Sequence, residues 1–265
     1  MRDVHRAGLG APNEQKFGFV QTCRVETEIH IAGQVGKDNR SGDMLPAASF
    51  AGHVRNAIRN VDEAGTLAVD DGETVVLTSL AVYVPRPMPD NAVSDIRGAL
   101  AALDVAVTIV GVPALSSPDY RVEISASAIV RSEEDVMATQ SVPYPVAIQE
   151  WFPGAAAVSV DGRVHAAGHV AVDDGFAGGE VATQLTGALA ALDQTLARLG
   201  TSLASLTSTH VYAVPGGDAL DFDAICRAHR EAVGANPPAA TLILVDQLPV
   251  PGASVMVTAT ATCPS

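Results

Sequence analysis

The residue with the plainest chemical potential is Glu123. It stands in Arg121–Ala128, where Arg121, Glu123, Ser125 and Ser127 alternate strictly with Val122, Ile124, Ala126 and Ala128. A period of two is a strand with one buried apolar face. It puts a carboxylate on the polar side, where it can act as a general acid or base. The competing reading is a carboxylate paired with Arg121, two residues away on the same side. His169 is the second candidate. It closes the run Val164-His165-Ala166-Ala167-Gly168-His169, and an imidazole of ordinary pKa in a cleft suits proton transfer. Its competing reading is a hydrogen-bonded histidine at a strand end. His165 and His169 sit ~13 Å apart if the strand is regular, so they cannot chelate one metal as a helical HxxxH pair does. His210, in Thr209-His210-Val211-Tyr212, is the third expected catalytic residue. No Cys/His/Asp/Glu set has metal-ligand spacing, and Gly216-Gly217 lacks the strand–helix context of a nucleotide loop. No lysine follows Lys37, which excludes a Schiff-base lysine from the rest of the chain. No cofactor and no metal are expected.

The elements that position these residues come twice. Ile29-His30-Ile31-Ala32-Gly33-Gln34 and Val164–His169 share a small-Gly-polar ending 135 residues apart. A helical period follows each: Phe50, Val54, Ala57, Ile58 and Val61, then Val181, Leu185, Ala188, Leu189, Leu192 and Leu196. The helices stop at Gly65 and Gly200, again 135 apart. Next come β-rich runs with Val82-Tyr83 and Val211-Tyr212, short helices near 91–103 and 220–233, and two closing strands. Each half therefore reads β-β-α-β-α-β-β. The boundaries are 1–130 for the first domain, 131–149 for a turn-rich linker with Glu133-Glu134, and 150–265 for the second.

Composition narrows the partners. Sixteen Lys and Arg against 30 Asp and Glu give −14, which repels phosphate backbones and opposes nucleic-acid binding. No run approaches the roughly 18 apolar residues of a membrane span. The N-terminus has no apolar core of a signal peptide. Cys23, Cys226 and Cys263 read as unpaired thiols of a reducing cytoplasm.

With these landmarks the sequence resembles the RidA (YjgF/YER057c/UK114) family in tandem. In the first half the matching steps are Phe17-Gly18-Phe19-Val20-Gln21, Ala32-Gly33-Gln34 and Val122-Glu123-Ile124. In the second they are Ala167-Gly168-His169, Pro237-Pro238-Ala239-Ala240-Thr241 and Leu248-Pro249. The resemblance implies an α+β, chorismate-mutase-like domain. Three such domains assemble into a pseudo-three-fold barrel with small-molecule clefts between neighbours. Two domains per chain then require chains in threes, a homotrimer of two stacked rings being the simplest solution. Typical members hydrolyse imines or enamines. They clamp the substrate carboxylate with an arginine, and a glutamate on the last strand helps handle water.

This chain departs from that pattern. The arginine position holds Val107 and Ala240, the glutamate position Glu123 and Met256, and the pocket aromatic Phe19 and Gly154. Standard amino-acid imine deamination is disfavoured, since losing such a contact costs about 2–5 kcal/mol of binding. The expected substrate-contacting positions are Phe19, Gly33, Gln34, Val107, Gly168 and Ala240. Trp151 either roofs a pocket or staples the linker. Arg86, in Pro85-Arg86-Pro87-Met88-Pro89, is the first choice among Arg24, Arg86 and Arg97 for a replacement clamp. The function expected is a diverged hydrolase, lyase or cyclase on a small metabolite, with specialised biosynthesis as its setting. The alternative is a non-catalytic binding or structural module.

Overall fold

A computed structural model describes residues 4–100, 103–132, 139–171, 180–216 and 220–263. Half 1 runs β1 (Val4–Ala7), α1 (Pro12–Phe17), β2 (Thr22–Val25), β3 (Glu28–Val35), α2 (Phe50–Thr66), β4 (Glu73–Pro85), α3 (Ala92–Leu100), β5 (Ala106–Val112) and β6 (Glu123–Ser132). Half 2 runs β7 (Thr139–Pro143), a 3₁₀ turn (Val146–Trp151), β8 (Ala155–Val160), β9 (Arg163–His169), α4 (Val181–Ala197), a second 3₁₀ turn (Leu203–Ser205), β10 (Leu206–Ala213), α5 (Phe222–Val233), β11 (Ala239–Leu244) and β12 (Val255–Thr262). The expected order is present in both halves, and each gains a leading edge strand. That strand, β7, lies within the stretch read as a linker, where it pairs antiparallel to β8. Thr139-Gln140-Ser141 is polar on both faces, so the strand shows no alternation. Glu133-Glu134 lies outside the described residues.

The helices form where the sequence periods place them. In α2, Val54, Ala57, Ile58 and Val61 are buried, and Ser49 caps the start by accepting from the Gly52 amide. Leu185, Ala188, Leu189, Leu192 and Leu196 of α4 pack on the other half's sheet in the same way. Each helical layer covers one face of its sheet and closes a separate core.

The two sheets are one. Strand order is β1-β2-β3-β6-β4-β5-β8-β9-β12-β10-β11, with β7 on β8. The halves join where Ala106 of β5 faces Ala155 of β8, and where Gly111 exchanges backbone hydrogen bonds with Asp246 and Gln247. A third core lies at this junction. It gathers Val110 of half 1 with Phe152, Ala156, Val158, Leu248 and Met256 of half 2. Tyr144 stacks on Phe152 at 4.3 Å between ring centroids and donates its hydroxyl to the Gly168 carbonyl. The sheet curls so that equivalent residues of the halves meet across its inner face: Arg163 lies 2.6 Å from Glu28.

Candidate functional site

Glu123 opens β6, opposite Val35 on β3 and Tyr83 on β4. Directly opposed residues share a face, so the carboxylate lies beside Tyr83 on the inner side of the sheet. It is seated over Gly33: a Cβ there would fall 2.1 Å from Glu123 Oε1 and 2.9 Å from its Cδ. The glycine is therefore the floor of the carboxylate's seat. Glu123 is half-buried. Burial pushes its pKa up, and the nearby Lys37 ammonium pulls it partly back. Among the described residues it makes no ion pair, so the pairing with Arg121 does not form. Arg121 instead lies near His53, whose Nδ1 is buried without a hydrogen-bond partner. His53 sits against Gly36, next to Lys37 in sequence. Lys37 is thus the cation that acts on Glu123, while Arg121 acts on His53. Sequence reasoning missed His53, because nothing in its helical context marks it as a site residue.

The duplicated seat in half 2 is apolar. Gly168 lies under Met256, whose Sδ would be 2.3 Å from a Cβ. Met256 is fully buried in the junction core, beside Tyr212.

The other candidates take structural places. His169 is not an acid–base residue: it is 3% exposed and both ring nitrogens are engaged, Nδ1 with the Ala167 carbonyl and Nε2 with the Thr195 hydroxyl. A neutral ring protonated on Nδ1 satisfies both contacts. Burial holds its pKa down at about 4. The strand period was misleading because β9 carries a bulge: Ala166 pairs with Ala259, but His169 pairs with Val257. One extra residue turns His169 to the helix side, away from the inner face. Gln34 follows the same bulge in β3. It is buried in a relay in which Asn39 donates to Gln34, Gln34 to Gln21 and Gln21 to Glu14. It binds the N-terminal segment rather than a substrate.

The three clamp candidates are occupied. Arg86 pairs with Asp246 of half 2 at 3.0 Å, Arg24 with Glu73, and Arg97 donates to the Gln149 carbonyl. Arg86 thus fastens the halves. Val107 is sealed: it is 1% exposed, and Gly154 rests on it so tightly that a Cβ would meet Val107 Cγ2 at 2.8 Å. Ala240 lies exposed on edge strand β11, and Phe19 is exposed as well. Trp151 packs against the junction core, which is the staple role. His210 lies apart from Glu123, on an open trough of about 720 Å³ shared by the halves, with His30 and His165 also on its lining. Among the described residues no group of three or more His, Cys, Asp or Glu could hold a metal ion.

The profile of the Endoribonuclease L-PSP family matches residues 11–130 and again 145–263. The chain belongs to this family. Solved structures similar to it each cover about one half. A YjgF/YER057c/UK114 family member from Mycobacterium tuberculosis is 23% identical with a TM-score of 0.41, over 47% of this chain and 99% of that one. A putative endoribonuclease L-PSP from Entamoeba histolytica is 27% identical with a TM-score of 0.39, over 48% and 98%. A YjgF protein family member from Neisseria meningitidis is 21% identical with a TM-score of 0.41, over 49% and 99%. The search of curated proteins gives no match. The chain is thus a tandem L-PSP (RidA-type) protein in an α+β fold. No described helix is long and apolar enough to cross a membrane.

Proposed function

We propose that this L-PSP protein is a small-molecule enzyme whose chemistry resides in half 1, with Glu123 as the general acid or base. The observation that carries the reading is the seat itself: a half-buried carboxylate over Gly33, with a raised pKa and no ion pair among the described residues. A carboxyl group whose pKa is raised by burial can exchange a proton with a bound water or with an imine nitrogen. The ancestral reaction is hydrolysis of an imine, in which water adds to the carbon and ammonia leaves. Val107 and Ala240 hold no carboxylate, so the preferred imines derive from amines rather than amino acids. Proton transfer at Glu123 contributes about 10²–10⁴-fold. The three free cysteines support a reducing, cytoplasmic setting.

The sealing of Val107 under Gly154 favours a second reading, a non-catalytic binding module. One experiment separates the two. Imines are generated in place by an amine oxidase or an amino-acid oxidase, and their decay is followed with and without the protein. Faster decay of amine-derived imines, lost in Glu123→Gln, is expected. Acceleration of neither class would remove the enzyme reading.

A further inference from the structure

The chain contains a template for an interface that it leaves half-used. At the internal junction half 1 offers a receiving edge, β5, and half 2 docks on it with Phe152, Gly154 and the backbone at Gln247. Residues 106–111 are all buried as a result. Duplication gives each half both faces, so one of each is left over. The spare receiving edge is β11, where Ala239, Ala240 and Thr241 are exposed and Leu244 is 58% exposed. The spare docking face belongs to half 1. Phe17, the equivalent of Phe152, is 65% exposed where Phe152 is 3% exposed. The trough lies open between these faces, bounded by Val25 and Glu26 at one side and Ile243 at the other. A naked apolar edge strand is a standing template for pairing.

We propose that a third unit of the same fold, supplied by a separate single-unit protein, fills this gap by docking on β11 and receiving Phe17 and Phe19. A second copy of the chain cannot do so, because each of its halves already has one face buried in its own junction. Three chains cannot regroup their first halves around the same junction either. Phe19 would then stand in the place of Gly154, where a Cβ already falls 2.8 Å from Cγ2 of the buried Val107. This replaces the trimer of chains expected from counting domains. It also specifies the partner: at the position equivalent to Val107 it carries a smaller residue or an open cleft that admits Phe19. The inference does not depend on the role of Glu123.

The test co-expresses the full-length chain with each single-unit member of the family encoded in its source genome, one at a time, and weighs the products by native mass spectrometry. One member is expected to add once to the 27.2 kDa chain. Phe17→Asp and Leu244→Asp, at exposed positions on the two spare faces, should each weaken that complex about tenfold or more, as removal of an apolar anchor does. A closed trimer or a dimer of the chain alone overturns the proposal. So does a chain that stays at 27.2 kDa with every member, or a complex indifferent to both substitutions.

Discussion

Gly33→Ala and Gly168→Ala make one change at duplicated positions, and the two seats respond differently. At Gly168 the new Cβ meets Met256 Sδ at 2.3 Å and Cγ at 3.0 Å. Met256 is fully buried and has nowhere to go, so overpacking costs about 1–3 kcal/mol. The lower entropy of an unfolded alanine returns about 0.4–1 kcal/mol, leaving a net loss of about 1–2 kcal/mol. At Gly33 the closest atom is Glu123 Oε1 at 2.1 Å, the end of a half-exposed side chain. Rotating it away costs about 0.5–1.5 kcal/mol, which the same unfolded-state term largely offsets. Gly33→Ala should therefore fold with nearly parental stability while moving the carboxylate toward water. With less burial, the Glu123 pKa falls back toward the ordinary glutamate range. Urea denaturation measures the first quantity. Carboxyl-carbon NMR titration measures the second, with Glu123→Gln to assign the signal. The reasoning fails if Gly33→Ala loses as much stability as Gly168→Ala, or if the Glu123 titration does not move.

Three further outcomes are expected. Burial raises the folded pKa of Glu123 above its unfolded value, so the folded state favours the protonated form and ionisation at neutral pH weakens it. Glu123→Gln should be more stable than the parent at pH 7, and the gain should vanish in denaturation curves taken below the ordinary carboxylate range. His169 works in the other direction: its folded pKa drops from 6.5 to about 4, so the unfolded chain takes up a proton first as pH falls. The parent should lose up to about 3 kcal/mol between those two pH values. His169→Gln, which borrows the Gln34 side chain of half 1, should flatten that loss in urea titrations at pH 7 and pH 4.5. Finally, the charge of −14 predicts no retention of single-stranded RNA at low salt, where phosphate contacts are strongest. A filter-binding signal that fades with salt would contradict this.

The repeat was legible because its determinants are local. Helix stripes such as Val54–Val61 and alternations such as Val122–Ala128 are read from spacing alone, and Glu123 was placed on the right strand and the right side. What escaped the sequence is set by register. A single bulged residue in β9 moves His169 from the inner face to the helix layer. Period-two counting cannot see it, because a bulge leaves composition unchanged. The tenancy of Arg24, Arg86 and Arg97 depends on partners 49, 160 and 52 residues away, and no local rule reports such pairings. The junction was hidden for the same reason. Gly154 has φ +114 and lies on Val105 and Val107, but in sequence it is only a glycine after a proline.

The junction explains why the halves diverged in the direction they did. In half 2 the glutamate position is Met256, and that side chain lies in the same apolar core as Ala167, Tyr212 and Leu248 against half 1. A carboxylate there would be fully buried with no partner, a loss of several kcal/mol or a permanently neutral acid. Half 2 can therefore keep a Glu at this position or bury this end against half 1, but not both. Half 1 meets no such demand. Its inner end is left half-open, and its glutamate persists over the same glycine floor. The apolar seat in half 2 and the covering of Val107 by Gly154 thus both belong to one contact, the junction of the two halves along β5. Divergence at Phe19 and Gly154 follows as well: only a glycine fits where the fused halves touch, while the free face of half 1 still carries its aromatic residue.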